Sequence, residues 1–159
     1  MYWRVPRARY EQGKGAVNRR AFRSLVSGGA EPGLIAYVDG NPAAWCALAP
    51  REDYPGLSRS RILAPVDDRP VWSISCFFVA KPHRRQGLTV SLLREAARFA
   101  RRRGGHILEG YPLEPKKGAM PDVFAWTGLS NAFLKAGFCE VARRSAGRPI
   151  MRRILNSRG

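Results

Sequence analysis

Val79-Ala80-Lys81-Pro82-His83-Arg84-Arg85-Gln86-Gly87-Leu88-Thr89-Val90-Ser91-Leu92-Leu93 is the stretch whose reading decides the fold. An apolar run from Trp72 to Val79 leads into it, and an amphipathic helix ending at Gly104-Gly105 leads out. A strand that feeds a basic, glycine-containing turn at a helix start makes a phosphate site. The first N–H groups of the helix have no internal acceptor, and the helix dipole adds partial positive charge there. Arg84 and Arg85 contribute mobile charge, and Gly87 lets the backbone approach a pyrophosphate closely. The alternative for the same residues is a solvated basic turn.

Working outward, the chain reads as one continuous α/β pattern without repeats. Downstream, Leu92, Leu93, Ala96, Ala97 and Ala100 form an apolar stripe, with Arg94, Arg98, Arg101 and Arg102 on the other side. His106 to Tyr111 reads as the next buried strand. Pro112 to Trp126 is a long irregular loop containing Lys116, Lys117, Gly118 and Met120-Pro121-Asp122. A second short helix spans about Gly128 to Ala136 and stops at Gly137, and residues 138–144 and 149–155 close the chain as a hairpin. Upstream, Val71 to Val79 is a central strand and Pro50 to Pro70 a loop with a short helical piece. Leu34 to Val38 and Ala43 to Leu48 are strands joined through Asp39-Gly40-Asn41-Pro42. A helix from Val17 to Val26 ends at Gly28-Gly29, and Tyr2 to Val5 reads as a short first strand.

The turn resembles the acyl-CoA-binding motif of the GNAT N-acetyltransferase superfamily, Arg/Gln-x-x-Gly-x-Gly/Ala. Arg84, Gly87 and Thr89 fall on its three defining positions, and Leu92-Leu93 match the apolar pair that follows. Thr89 departs from the small residue, although threonine can also cap a helix. Asn131-Ala132-Phe133-Leu134-Lys135-Ala136-Gly137-Phe138 is similar to the family's helix ending in Gly-Phe. The order of elements resembles that fold over nearly the whole chain. The resemblance implies a single domain over residues 1–159, with a mixed, mostly antiparallel central sheet, a V-shaped splay and flanking helices.

It also implies a two-part site. Phe77, Phe78 and Val79 would pair with the pantetheine arm of acetyl-CoA, and Arg84, Arg85, Gln86, Gly87, Leu88 and Thr89 would hold its pyrophosphate. Asn131 would meet the thiol end, and Phe133 on the same helix would also contact the cofactor. An acceptor amine would attack the acyl carbon directly, without an acyl-enzyme. Such a reaction needs the amine deprotonated and the leaving thiolate stabilised. Glu109, in Leu108-Glu109-Gly110, matches a Leu-Glu-Val in the family's N-terminal-protein acetyltransferases and is the expected base. Its alternative reading is an ion pair with one of the many arginines. Many relatives place Tyr where this chain has Phe133, which cannot donate a proton, so Tyr111 or water would protonate the thiolate. Glu114 and Trp126 are expected to line the acceptor pocket.

Composition sets the limits on these readings. The 159 residues are enough for one two-layer domain, and 45% are hydrophobic. No apolar run approaches the roughly 20 residues of a membrane span. Without an apolar leader at Met1-Tyr2-Trp3-Arg4-Val5-Pro6, the expected location is the cytoplasm. Cys46, Cys76 and Cys139 are widely spaced and read as buried free thiols. A nucleophilic Cys76 would need a base, and only His83 and His106 are present. No metal-ligand cluster is expected.

The formal net charge of +16 attracts polyanions of every kind. The Arg runs are dispersed over several elements, so nucleic acid is expected to bind only through unspecific charge. Three readings stand: an acetyl-CoA-dependent N-acetyltransferase acting on a small-molecule or peptide amine, a catalytically weak acyl-CoA sensor, and a basic nucleic-acid-binding module. The resemblance adds pairing through the C-terminal strands, as a homodimer.

Overall fold

A computed structural model of the chain describes residues 1–115 and 122–155. The loop residues Lys116, Lys117, Gly118, Met120 and Pro121 lie outside the described residues. Two helices, α1 (Arg7–Gln12) and α2 (Ala16–Ser27), precede a hairpin of β1 (Gly33–Val38) and β2 (Asn41–Pro50). A 3-10 turn at Arg51–Asp53 and the short α3 (Pro55–Ser58) lead to β3 (Trp72–Val79). The 3-10 turn Lys81–His83 then carries the chain into α4 (Leu88–Arg102) and β4 (Ile107–Gly110). A 3-10 segment at Asp122–Thr127, α5 (Ser130–Lys135), β5 (Cys139–Arg143) and β6 (Pro149–Ile154) complete it. The six strands form one sheet in the order β1-β2-β3-β4-β6-β5, in which only β3 and β4 run parallel.

The expected sheet of mostly antiparallel strands flanked by helices is therefore present. The expected first strand at Tyr2 to Val5 is instead a turn. Pro6 stands immediately before α1, and the rings of Tyr2, Trp3, Tyr10 and Trp126 gather into one edge-on and tilted cluster that holds the segment as a turn. Helix α1 went unread in the sequence because none of its residues is buried, so it carries no core-facing period.

Helix α4 anchors the architecture. Leu92, Leu93, Ala96, Ala97 and Ala100 are all buried, where they pack with Ile74, Phe77 and Leu108 of the sheet and with Phe133 and Phe138. Truncating a leucine such as Leu93 in this layer would cost about 2–5 kcal/mol. Gly87, at φ 81°, is the N-cap of α4, and no side chain caps it, so Thr89 does not serve as the cap. Arg101 and Arg102 in the last turn complement the helix dipole. On the other face of the sheet, Ala49, Tyr54, Leu57, Leu63, Tyr111 and Ile150 form a second core.

The strands part in the middle of the sheet. Strands β3 and β4 pair only at Trp72–Leu108, Ser73–Glu109 and Ile74–Gly110. On the β2 side, Ala47 is opposite Cys76 while Leu48 is opposite Ile74, so Ser75 is an extra residue bulged out of the ladder. A bulge bends its strand and resets which face each side chain takes. Ile74 and Phe77, three residues apart, consequently share the α4 core.

Candidate active site

Beyond Ile74 the β4-facing edge of β3 has no strand partner among the described residues, and a groove of about 640 Å³ lies along it. Phe77, Phe78 and Val79 form its strand wall. His83, Arg84, Arg85, Gly87, Leu88, Thr89 and Val90 form its basic end, while Ala125, Trp126, Gly128, Leu129 and Ala132 close the opposite side. Arg85 (φ 62°) and Gly87 (φ 81°) both take left-handed backbone. The first hydrogen bond reaching back into the turn runs from the Ser91 N–H to the Gly87 carbonyl. Among the described residues, the N–H groups from Arg85 to Val90 donate to no backbone carbonyl. That is a cradle for phosphate oxygens, with the α4 dipole behind it. The donor set therefore fits a nucleotide pyrophosphate. Nε of Arg84 donates to the Val79 carbonyl at 3.1 Å, which ties the turn to the strand end.

Three residues expected to contact the cofactor are placed elsewhere. Gln86 does not line the groove; its side-chain amide donates to the Pro82 carbonyl at 3.0 Å and braces the turn. Asn131 is exposed outside the groove, and its neighbour Ala132 takes the wall position because one residue along a helix turns about 100°. Phe133 is fully buried, edge-on to Phe77 (6.1 Å) and Phe138 (5.0 Å), and its ring lies against Gly110 and Gly128.

The catalytic candidates are enclosed too. Glu109 is 1% exposed, with Arg51 Nη1 donating to Oε1 at 2.8 Å and Arg152 Nε to Oε2 at 2.6 Å. Arg152 also reaches Asp67 at 2.7 Å and, with Arg69, holds that carboxyl well below the usual range. The Tyr111 hydroxyl donates to Glu109 Oε1 at 2.7 Å and accepts from Arg51 Nη1 at 2.5 Å, with Ser73 Oγ 2.8 Å away. Burial, and then the Glu109 carboxylate, push the Tyr111 hydroxyl well above its ordinary value. Neither residue lines the groove. The ion-pair alternative for Glu109 is what the structure displays. Alternation along β4 accounts for it: Leu108 packs into the α4 core, while Glu109 and Tyr111 turn to the opposite face. Glu114 is exposed and ion-paired with Arg143 outside both cavities.

Of the two residues expected to line the acceptor pocket, Glu114 lines neither cavity and Trp126 lines both. It borders both the groove and a second cavity of about 560 Å³ on the far face of the sheet. Ser75 and Cys76 line that second cavity, so consecutive residues of β3 face first one space and then the other. Its walls are Tyr2, Trp3, Phe22, Trp45 and Tyr54, with Arg4, Lys14 and Arg19 also contributing. Sequence reading missed this cavity because its walls come from distant elements, and of its tryptophans only Trp126 was expected to line a pocket. The Cys76 thiol is half-buried and raised by burial, which argues against a nucleophile, and Cys139 is exposed. Among the described residues no cluster of His, Cys, Asp or Glu could hold a metal ion. No helix among them is long and apolar enough to cross a membrane.

The acetyltransferase (GNAT) family model matches residues 1–116. No curated protein matches the sequence. Among solved structures, YncA from Salmonella typhimurium with its cofactor acetyl-CoA is similar at a TM-score of 0.56 and 18% identity, over 89% of this chain and 74% of that one. Ribosomal-protein-alanine N-acetyltransferase from Brucella melitensis is similar at 0.54 and 20% identity, over 87% and 77% of the two chains. Likeness at this level of identity shows the fold.

Proposed function

This chain belongs to the GNAT acetyltransferase family, and on that premise we propose that it transfers the acetyl group of acetyl-CoA to a primary amine by direct attack. The observation that carries the reading is the row of N–H groups from Arg85 to Val90 that, among the described residues, have no backbone acceptor, set at the end of a groove beside a strand edge that pairs with none of those residues. Those groups, with Arg84 and Arg85, bind the pyrophosphate, and the free edge of β3 at Phe77 to Val79 pairs with the pantetheine arm. Acetyl-CoA supplies the activated acyl carbon, which lies near Trp126. The amine enters from the second cavity across Ser75 and Cys76.

Among the described residues no carboxylate lines either cavity. The acceptor therefore gives up its proton to water before attack. Glu109 keeps Arg51 and Arg152 in place, and the thiolate is protonated by water, since Phe133 has no proton to give and Tyr111 is buried away from the groove. The lack of a lining carboxylate also favours a second reading, a weakly catalytic acyl-CoA sensor.

Calorimetric titration of acetyl-CoA into the protein, beside a variant with Arg84→Ala and Arg85→Ala, tests the site. Micromolar binding that weakens sharply in the variant is expected; no binding by the unaltered protein overturns the proposal. Thiol release with a panel of amines then separates an enzyme from a sensor.

A further inference from the structure

The second cavity has a chemistry of its own. One wall is aromatic, built from Trp3, Phe22, Trp45 and Trp126, and among the described residues no acidic side chain lines it. Its basic groups are not equivalent. Arg4 donates to Asp53 at 3.0 Å and stacks over Tyr54 at 4.6 Å, and Lys14 is paired with Glu11. Arg19, exposed on α2, has no ion pair among the described residues. It also borders an adjoining hollow lined by Gly15, Ala16, Arg20 and Arg23, so the basic surface continues outward from the aromatic space. An ordinary amine receptor balances the ammonium with a carboxylate; this cavity offers π faces at its walls and positive charge at its α2 side.

From this pairing we propose that the acceptor is a primary amine that carries an aromatic ring and, at the end remote from the amine, a carboxylate or comparable anionic group. The ring fills the space between the tryptophans, the anion faces Arg19, and the amine points to Ser75 and Cys76. The assignment of the amine end rests on the transferase reading above. The positive side has a second effect: it disfavours a protonated ammonium in the cavity and so helps present the neutral amine.

Binding can be read without turnover, because Trp3, Trp45 and Trp126 line the cavity and quench or shift when it fills. The probes are 4-(2-aminoethyl)benzoate and 2-phenylethylamine, which share ring and amine and differ in the distal carboxylate. At physiological ionic strength, saturable binding about tenfold tighter for the benzoate is expected, the size of one charge-assisted hydrogen bond. Arg19→Glu should abolish that preference. Arg101→Glu, an equal charge change on the exposed face of α4, should keep it, which separates a site from the pull of the net charge.

The peptides Phe-Glu-Glu and Phe-Lys-Lys, run alongside, tell whether the anion belongs to a small molecule or a chain; preference for either acidic probe supports the proposal. Equal binding of probes with and without the carboxylate, or a preference that survives Arg19→Glu, overturns it. Acetyl-CoA titrated into the same samples distinguishes the failures. Acetyl-CoA binding without carboxylate preference sinks this inference alone. Carboxylate-selective binding without acetyl-CoA binding sinks the transferase reading, and with it the acceptor role of the ligand.

Discussion

Ile74 and Gly110 are the last pair of the parallel contact between β3 and β4. Directly beneath that pair, a side chain built on Gly110 would place its Cβ 2.2 Å from Cε1 of Phe133. The opening of the sheet and the bareness of Gly110 are thus coupled through one ring. Gly110→Ala should push Phe133 toward Phe77 and Gly128, both of which line the groove. The expected cost is about 1–3 kcal/mol of stability from overpacking. Weaker acetyl-CoA binding should accompany it, and thermal melts with calorimetry measure both. An unchanged melt would show that the ring relaxes freely.

Glu109 joins two arginines, and its replacement should be felt first in folding. Glu109→Gln leaves Arg51 and Arg152 facing a neutral amide in a buried site. Breaking a buried pair from one side costs about 3–5 kcal/mol. Chemical denaturation should show a loss of that order, while acetyl-CoA binding survives below the melting temperature. A variant of normal stability that has lost only turnover would restore Glu109 as a base.

Tyr111 gives the same network a pH signature. Its hydroxyl is held protonated, with its folded value raised by burial and by the Glu109 carboxylate. A group raised in the folded state contributes stability that is full below its unfolded value and lost as pH climbs past it. For a tyrosine that loss begins at about pH 10. Melting temperatures followed upward from neutral pH should therefore fall more steeply above that point in the unaltered protein than in Tyr111→Phe. Parallel curves would refute the assignment.

How much of this was legible in the sequence follows from where the information sits. The β3–turn–α4 unit was readable because its signals are local: an apolar run, then Arg84-Arg85 with Gly87, then a stripe of period 3.6 from Leu92 to Ala100. The groove walls at Phe77, Phe78 and Val79 followed from the same unit. The bulge at Ser75 was not readable, because it is defined only by which residues of β2 lie opposite. Glu109 carried both readings in the sequence. The choice between them depended on Arg51, 58 positions earlier, and Arg152, 43 positions later, and no spacing rule connects them. The aromatic cavity was invisible for the same reason, since Trp3, Trp45 and Trp126 meet only through the fold.

Among the described residues no carboxylate lines either cavity, and the water route proposed on that ground makes a kinetic prediction that needs no variant. If the acceptor loses its proton to water, kcat/KM follows the fraction of neutral amine. The rate should rise tenfold per pH unit and level off near the acceptor's own pKa. Two acceptors of similar shape but different basicity should then break at different pH values in kcat/KM, each at its own solution value. A protein base would act differently, because its ionisation belongs to the enzyme. Profiles that break at one common pH for every amine would locate a titrating side chain in the site and overturn the water route. The comparison also bears on Arg19, since Arg19→Glu removes a nearby positive charge and adds a negative one. In kcat, which reports the amine while bound, the break for a given acceptor should move upward in that variant, toward the amine's value in free solution.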